Sequence, residues 1–390
     1  MKKQVLAAII LAAAVLCGCG KDNEPAEAFS VMAQPIVQKT EVQESTTEET
    51  EEEVMDDSVI REREEKDGKM QSYLTGEWKD ADVVKRRSMA VMIPNNKPAL
   101  PQYGISKASI IYEAPVEGGM TRLMAFFEDY DDLDRIGPVR SSRDYYVYEA
   151  MAYDAIYCNW GLARPFVEEL INSDRIDNVS QAVEGIYHPA TEAFDRVSRP
   201  GKRIEFTGYL FTDGYTKAVE RLGYEKNYRD SFVQAFTFAG DGLRAEYEDK
   251  EDAVKIYPGG SSTNASGYGD AKPYFEYNEK DHLYYRYEFG AAQKDEMNGE
   301  QLTVSNVIFK ICHGEVREPK DKGYLAFGVH GTGDAIVFTN GKVIKGTWKR
   351  ESDEAPNLFM DEDGNEIIFN QGKTWICNIW KEYSEYMKYE

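Results

Sequence analysis

The amino-acid sequence predicts an α+β protein, in which an N-terminal mixed α/β layered domain packs against a C-terminal, mainly antiparallel β domain. Two observations lead to this fold class. Between residues 85 and 227, short apolar runs that suit buried strands alternate with helix-forming segments, as in layered α/β folds. From residue 228 to 390, apolar and polar residues alternate within segments that end in turn residues, as in antiparallel sheets.

In the N-terminal domain, strands and helices are expected in turn. The apolar runs that predict strands are "MAVMI", "ASIIYEAPV", "TRLMAFFED" and "AIYCNWG". One helix is expected in "GPVRSSRDYYVYEAMAYD", with Ser141 or Ser142 as its N-cap, and an amphipathic helix in "ARPFVEELINSD". No long Pro/Ser linker follows this domain, so we expect the two domains to pack against each other rather than to move as separate beads.

The C-terminal domain is predicted from its hairpin signals. The segments "TNGK" and "EDGNE" contain the Asn-Gly and Asp-Gly pairs that favour tight turns between antiparallel strands. Alternating segments such as "PYFEYNEKDHLYYRYEFG" and "DAIVFTNGKVIKGTWKR" flank or contain such turns. This part of the chain is therefore predicted to be mainly antiparallel β structure.

Residues 1–19 have the features of a lipoprotein signal peptide. Lys2 and Lys3 precede an apolar run that is too short to span a membrane, which argues against a transmembrane anchor. The run ends in "LCGC", which resembles a bacterial lipobox, so Cys19 is predicted to be the lipidated N-terminus of the mature protein. Two or three acyl chains on Cys19 would hold the protein on the outer face of the membrane.

Residues 20–84 are predicted to form a disordered acidic tether. Between Glu41 and Met70 the chain has 13 acidic and 4 basic residues, a net charge of −9. The run "TTEETEEEVMDDS" has too little apolar surface to offset the entropy lost on folding. Such a tether would repel anionic head groups and wall polymers and keep the folded body away from the membrane.

The composition also excludes several kinds of function. An exported chain with a net charge of −23 and no basic cluster along its sequence is not expected to bind nucleic acid. Cys158, Cys312 and Cys377 have no disulfide or zinc spacing and are expected to be buried thiols. The four His residues form no metal-binding pair, and neither a metal nor a cofactor is predicted.

Several motifs resemble the YerB-like bacterial lipoproteins, a two-domain family of unknown function. The N-terminal motifs are "SIIYEAPVEGGMTRLMAFFED", "DRIGPVRSSRDYY" and "YDAIYCNWG"; the C-terminal ones are "TVSNVIFK", "GDAIVFTNGKVIKGTWKR" and "NQGKTWICNIW". The resemblance implies a lipoprotein of the Gram-positive cell envelope and names no reaction. The loop "DRVSRPGKRIEFTGYLFTD" departs from the family, in which an Arg-rich loop closes with a Pro-His-Asn-like turn, so the resemblance does not carry His-dependent chemistry to this rim.

The stretch "EAPVEGGMTR" is the first half of the predicted site. Glu113 and Glu117 share parity along a strand and could point to one side, while the Gly pair permits a turn that brings Arg122 across. A carboxyl beside the apolar "SIIY" and "LMAFF" could have a raised pKa, which makes Glu117 the candidate general acid and Glu113 or Asp144 a second carboxylate.

The second half of the predicted site is "RSSRD". Arg140 and Arg143 flank Ser141 and Ser142 at a helix start, where backbone N–H groups favour an anion. Two arginine forks would strengthen that preference. Flat faces for a sugar ring could come from three aromatic residues, which are Tyr145, Tyr146 and Trp160. The predicted ligand-binding residues are Arg122, Arg140, Ser141, Arg143, Asp144 and Trp160.

Three functions are compatible with these residues. In the first, an envelope lipoprotein binds a cell-wall glycan or an envelope partner through the acidic and arginine cleft. In the second, an enzyme cleaves peptidoglycan or another wall polymer with Glu117 as general acid. In the third, the lipoprotein is a scaffold without a small ligand, and the charged residues form a structural ion-pair network.

Overall fold

The computed structural model describes residues 58–259, 268–319 and 322–390, and these residues belong to one compact unit. The strands before residue 228 are β1 (Val59–Ile60), β2 (Lys69–Gln71), β3 (Trp78–Asp80), β4 (Met89–Pro94), β5 (Ile110–Val116), β6 (Met120–Phe127), β7 (Arg135–Ile136), β8 (Ile156–Asn159), β9 (Asn178–Ser180), β10 (Phe194–Arg196) and β11 (Gly208–Phe211). The α-helices are α1 (Ala81–Lys85), α2 (Asp144–Met151), α3 (Arg164–Ile171) and α4 (Thr212–Leu222). Short 3₁₀ helices occupy Lys97–Ala99, Ile105–Lys107, Thr191–Ala193, Ile204–Phe206 and Lys381–Tyr386.

From residue 228 on, the regular structure is almost entirely β. The strands are β12 (Thr237–Ala239), β13 (Lys255–Tyr257), β14 (Tyr274–Asn278), β15 (Leu283–Glu288), β16 (Ala291–Ala292), β17 (Thr303–Val304), β18 (Asn306–Cys312), β19 (Gly314–Val316), β20 (Leu325–Phe327), β21 (Gly331–Thr339), β22 (Lys342–Arg350), β23 (Leu358–Asp361), β24 (Ile368–Phe369), β25 (Thr374–Trp380) and β26 (Lys388–Tyr389). The predicted fold class, α/β followed by a β-rich part, is confirmed.

One long sheet runs through both predicted domains. Its strand order is β23-β22-β21-β18-β25-β5-β6-β4-β8-β9, and the two parts of the chain meet where β25 pairs in parallel with β5. A second sheet, in the order β16-β15-β14-β13-β26, belongs to the C-terminal part. The domain division at residues 227 and 228 stays a prediction, and the shared sheet explains why the two parts pack together.

The side chains of β4 show how the long sheet is covered on both faces. Ala90 and Met92 pack into one apolar cluster, while Met89, Val91 and Ile93 pack into another on the opposite face. A strand that is buried on both faces gives a continuous apolar run, which is why "MAVMI" could be recognised. The three cysteines of the body are buried as expected, and each is a free thiol.

The predicted hairpin turn in "TNGK" is confirmed. Asn340 and Gly341 connect β21 to β22 and both have positive φ angles, of 49° and 73°. Two successive left-handed residues match the twist of the flanking strands, and Asn-Gly tolerates this conformation better than other pairs.

The predicted tether is too long at its C-terminal end. Residues 58–84 form β1, β2, β3 and most of α1, and they bury Met70, Leu74 and Val84. β1 pairs with β12, so this segment is part of the body. The prediction extended the tether into this segment because the acidic residues of the preceding run outnumber the few apolar residues that anchor residues 58–84 to the body. Residues 20–57, like the signal peptide and Cys19, lie outside the described residues.

The N-cap of α2 also differs from the prediction. The helix begins at Asp144 with Arg143 in the N-cap position, and neither Ser141 nor Ser142 caps it. The Ser142 hydroxyl is buried and accepts a hydrogen bond of 2.8 Å from the Tyr157 hydroxyl, so tertiary packing has taken this side chain away from the helix end.

A buried ion network fixes the other end of α2 to the C-terminal strands. Lys310 Nζ on β18 donates to Glu149 Oε1 at 2.6 Å and to Asn357 Oδ1 at 2.6 Å. Although burial works in the opposite direction, the charges of Lys310 and Arg350 hold the pKa of Glu149 below its usual value. Helix α2, which begins at the candidate site, therefore has a fixed position. None of the helices in the described ranges has the length and apolar character needed to cross a membrane.

Candidate functional site

The candidate site lies at the carboxyl ends of the parallel strands β4 and β8. The segment 140–144 crosses this edge: Arg140 N donates to Met92 O at 2.9 Å, and Trp160 N donates to Arg140 O at 3.1 Å. Ser142 N donates to Gly161 O at 2.8 Å. Ligands of open α/β sheets often bind beyond the carboxyl ends of the strands, and the backbone places "RSSRD" at this position of the sheet.

The β5–β6 hairpin brings "EAPVEGGMTR" to the same place. Gly118 and Gly119, in the turn, both have positive φ angles, of 79° and 74°. Helix α2 supports the hairpin through two tyrosines: the Tyr145 hydroxyl donates to Pro115 O at 2.7 Å, and the Tyr146 hydroxyl donates to Arg122 O at 2.5 Å. Both tyrosines are buried, so the expectation that their rings face a sugar is wrong.

Glu117 and Arg143 form a two-pronged ion pair across the site. Arg143 Nε donates to Glu117 Oε1 at 2.8 Å, and Arg143 Nη2 donates to Glu117 Oε2. Burial alone would raise the pKa of Glu117, but the hydrogen bonds and charge of Arg143 outweigh it and hold this pKa below its usual value. The expectation of a raised pKa is therefore wrong, and Glu117 is ionised at neutral pH.

Arg122 is the unusual residue of the site. It is 7% exposed, and its Nη1 donates to Ser141 O at 2.5 Å. Within the ranges that the structure describes, no carboxylate forms an ion pair with it. Burial first, and then the charges of Arg143 and Arg140, lower the pKa of Arg122 to about 9. Three guanidinium groups thus lie close together, and only Arg143 has a close carboxylate partner.

Asp144 is paired with a residue that sequence reasoning missed. Arg317 Nη2 donates to Asp144 Oδ2 at 2.5 Å, and the Arg317 guanidinium lies 4.4 Å from the centre of the Phe166 ring. Arg317 follows β19 in the C-terminal part, so both predicted domains contribute to this edge of the site. No local pattern around "EVREP" marks Arg317 as a partner of the N-terminal motif.

Trp160 lies beside the cluster and is partly buried. The Arg196 guanidinium lies over the Trp160 ring, 4.7 Å from its centre, and Gly208 packs so closely against the ring that a Cβ there would lie 2.5 Å from it. The Ser141 hydroxyl donates to Trp160 O in a long bond of 3.5 Å. Trp160 therefore supports an arginine, whereas we expected an open face for a sugar.

Glu113 does not join Glu117. It is completely buried on the other side of the sheet, where its carboxylate accepts hydrogen bonds from Thr121 at 2.7 Å, Arg286 at 2.8 Å and Trp375 at 3.0 Å. The parity argument failed because Glu117 lies beyond the end of β5, in the turn, where strand alternation no longer applies. Arg286 and Trp375, more than 170 residues away, were missed.

The structure thus brings together six of the predicted site residues, which are Arg122, Arg140, Ser141, Arg143, Asp144 and Glu117. Trp160 borders this group, and Glu113 is separate from it. The arrangement can bind an anion through guanidinium groups. In the described ranges, no group of three His, Cys, Asp or Glu side chains is placed to hold a metal ion.

Comparisons with known proteins match most of the chain. A family model described as "Protein of unknown function (DUF3048) N-terminal domain" matches residues 74–225, and the corresponding C-terminal domain model matches residues 264–376. The curated protein "Putative lipoprotein YerB" of Bacillus subtilis (strain 168) is 26% identical over 309 residues, which are 79% of this chain and 86% of that protein.

A crystal structure of the YerB protein from Bacillus subtilis is similar in fold. The TM-score is 0.65 at 24% identity, and the match covers 82% of this chain and 99% of that one. The two domain matches, the curated relative and the solved structure agree in covering both parts of the folded body.

Proposed function

Because the chain belongs to the YerB-like family with its two DUF3048 domains, we propose that it is a lipid-anchored, extracytoplasmic protein of the cell envelope. We propose further that it binds an anionic group of a cell-wall glycan or an envelope partner at the cluster of Arg122, Arg140 and Arg143. The unpaired guanidinium of Arg122 is the observation that carries this binding function.

The proposed anchor is supported by sequence and by relationship. Residues 1–19 have a basic start, an apolar run and "LCGC", which together favour lipidation of Cys19. The word lipoprotein is part of the name of the curated relative. With two or three acyl chains on Cys19, the body would be held at the outer face of the cell membrane by the acidic segment that precedes it.

The proposed binding follows from the charges of the cluster. A buried arginine without a carboxylate is unfavourable, and the charges of Arg140 and Arg143 make Arg122 less favourable still. A phosphate or carboxylate that accepts hydrogen bonds from Arg122 would neutralise this excess charge. Guanidinium groups suit such ligands because two parallel N–H groups fit two oxygen atoms.

The neighbours of Arg122 would assist in different ways. Glu117 holds Arg143 in place through two hydrogen bonds, so Arg143 adds positive charge at a fixed position. Arg140 is partly exposed, and its closest carboxylate oxygen, on Glu205, is 3.8 Å away. The Ser141 hydroxyl makes only a long bond of 3.5 Å and could turn towards a ligand.

The cleavage of a wall polymer is less well supported. A general acid must carry a proton at neutral pH, and the pKa of Glu117 is lowered by Arg143. Glu113, the proposed second carboxylate, is enclosed on the other side of the sheet. A scaffold without a ligand is the remaining alternative.

The binding function is tested with the chain from residue 20 onward, which lacks the signal peptide and the lipid. Binding of glycerol 3-phosphate is measured by calorimetry at low salt, and binding of purified cell-wall polymer by co-sedimentation. Loss of one charge-assisted pair costs about 1.5–3 kcal/mol, so Arg122→Ala should weaken both by about tenfold or more. Arg122→Lys keeps the positive charge but loses the paired N–H donors of the guanidinium group, so this variant should bind both probes with intermediate affinity.

The matched control is Arg61→Ala, which removes an exposed arginine paired with Glu366, far along the chain from the cluster. It should bind like the unchanged protein. Melting temperatures identify any variant that has lost its fold. If Arg122→Ala and Arg122→Lys are folded and bind both probes with unchanged affinity, the cluster is structural and the scaffold alternative is correct.

A further inference from the structure

A second basic segment, residues 196–206, lies next to the arginine cluster. It belongs to the loop "DRVSRPGKRIEFTGYLFTD", which contacts the site through Arg196 and Glu205 but supplies none of the three arginines of the cluster. Its basic residues are Arg196, Arg199, Lys202 and Arg203. Arg199 is buried and donates to backbone carbonyls of Ala99, Pro101 and Phe206, so it holds the loop in place. The other three are available to shape the charge of the surface.

Arg196 repeats the feature that distinguishes Arg122. Its guanidinium lies on the Trp160 ring, and its Nη1 donates to Ile204 O at 2.5 Å and to Thr207 Oγ1 at 3.1 Å. Among the residues that the structure describes, none forms an ion pair with Arg196. Arg196 is exposed, and it is therefore a second guanidinium that is oriented by the protein but not neutralised by it.

Contacts join the loop to the cluster in one continuous surface. The Arg140 guanidinium lies 5.5 Å from the centre of the Phe206 ring and 3.8 Å from Glu205. The Trp160 ring contacts the Arg196 guanidinium, and the Trp160 backbone forms hydrogen bonds with Arg140 and Ser141. The surface thus runs from Arg122 through Arg140 to Arg196.

The charge along this surface is opposite to that of the chain. Six cations lie on it, namely Arg122, Arg140, Arg143, Arg196, Lys202 and Arg203. The carboxylates are Glu117 beside Arg143, Glu205 between Arg140 and Arg203, and Asp195 next to Arg196. Asp144 and its ion-pair partner Arg317 cancel each other and are left out of this balance. Six positive and three negative groups leave an excess of positive charge on a protein whose formal net charge is −23. An excess of this kind attracts anions even though the whole chain repels them.

We propose that the arginine cluster and the loop 196–206 together bind a linear polyanion, with its repeated phosphodiester or carboxylate groups placed along the surface. This inference rests on the proposed function, because it takes the anion site at Arg122 as its first contact. A single anion would neutralise Arg122 and leave Arg196 unpaired. A chain of anions would neutralise both, and the two guanidinium groups without an ion-pair partner, Arg122 and Arg196, are the observation that supports a repeated ligand.

The test compares one anionic unit with a chain of such units. The probes are glycerol 3-phosphate, a glycerol-phosphate oligomer of about ten units, and an oligogalacturonate with the same number of charges. Each is titrated into the chain from residue 20 onward at several salt concentrations. We expect one or both oligomers to bind at least about tenfold tighter than glycerol 3-phosphate, and the tighter one identifies the anionic group.

Two variants distinguish this inference from the proposed function. Arg196→Ala should weaken oligomer binding severalfold and reduce the slope of log affinity against log salt by about one unit, as expected for one lost charge contact. It should leave glycerol 3-phosphate binding unchanged. Arg122→Ala should weaken binding of both kinds of probe, and Arg61→Ala, with the same loss of charge elsewhere, should weaken neither.

The outcomes separate as follows. If Arg122→Ala leaves binding of glycerol 3-phosphate unchanged, the proposed function is wrong and this inference falls with it. If binding depends on Arg122 but no oligomer binds tighter than the single unit, only the inference is wrong. The same conclusion follows if Arg196→Ala and Arg61→Ala bind the oligomers equally well.

Discussion

The β5–β6 hairpin holds two glutamates in opposite environments. Glu113 is enclosed, and its carboxylate is satisfied by Thr121, Arg286 and Trp375. Glu117 lies in the turn beside Arg143 with its side chain 19% exposed, and the nearby Arg122 forms no ion pair within the described ranges. We call the first network closed, because the charges of Glu113 and Arg286 meet each other at 2.8 Å. The second has positive charge left over, and the proposed binding site rests on this excess.

The largest effect is expected when an arginine is removed from the closed network. Arg286→Met leaves the completely buried carboxyl group of Glu113 without its ion-pair partner, and should destabilise the fold by about 3–5 kcal/mol. Arg143→Met leaves Glu117 in a position where its side chain is 19% exposed and water can replace part of the lost pair, so it should cost less than Arg286→Met. Urea unfolding of both variants, followed by circular dichroism, measures the two free energies.

Arg286→Met and Arg143→Met make the same chemical change, arginine to methionine, in the two networks. Equal destabilisation by Arg286→Met and Arg143→Met would mean that both networks are structural, and would remove the contrast on which the binding site is based. A stable Arg286→Met protein would show instead that the methionine packs well enough to replace the ion pair.

The next effect concerns Glu288, the second carboxyl group beside Arg286 after Glu113. It is 2% exposed, and burial raises its pKa from the ordinary value of 4.5 to about 8. Between these two values the folded protein keeps a proton that the unfolded chain releases, so stability should fall as pH rises from about 4.5 to about 8. Glu288→Gln should remove this part of the fall and make the protein more stable than the unchanged one at pH 8.

The stability contribution of Glu117 should depend on pH in the opposite direction, so Glu117 serves as the comparison for Glu288. Because its pKa is lowered, its contribution to stability is present above the ordinary value and is lost as pH falls towards acid. Melting temperatures of Glu288→Gln and Glu117→Gln between pH 4 and 9 measure both. If the melting temperature of Glu288→Gln changed with pH in parallel with that of the unchanged protein, the assignment of a raised pKa to Glu288 would be wrong.

The smallest effect is expected at Trp160, which acts by positioning Arg196. Trp160→Ala removes the ring on which the guanidinium lies, and should weaken oligomer binding severalfold while leaving binding of glycerol 3-phosphate nearly unchanged. Trp160→Phe keeps a ring and should restore much of the loss. If Trp160→Phe is as weak as Trp160→Ala, the ring contact does not position Arg196.

The sequence could predict those parts of the site that depend on neighbours along the chain. The stretch "EAPVEGGMTR" was expected to meet "RSSRD", and its second half does so through Glu117 and Arg122, because strand and helix order places both segments at one edge of the sheet. Glu113, in its first half, does not. The pKa of Glu117 could not be predicted in the same way. The apolar residues beside it suggested a raised pKa, and only the position of Arg143 reverses that direction.

By itself, the sequence determined the alternation of strands and helices that begins at residue 85, the Asn340-Gly341 hairpin and the burial of the three cysteines. These features depend on local backbone preferences and on apolar pattern, and both are properties of short segments. Only the tertiary structure decided the partners of the charged residues. Glu113 meets Arg286, and Asp144 meets Arg317, each across 173 positions of the chain. A charged side chain is compatible with many partners, and the packing of distant strands alone selects one of them.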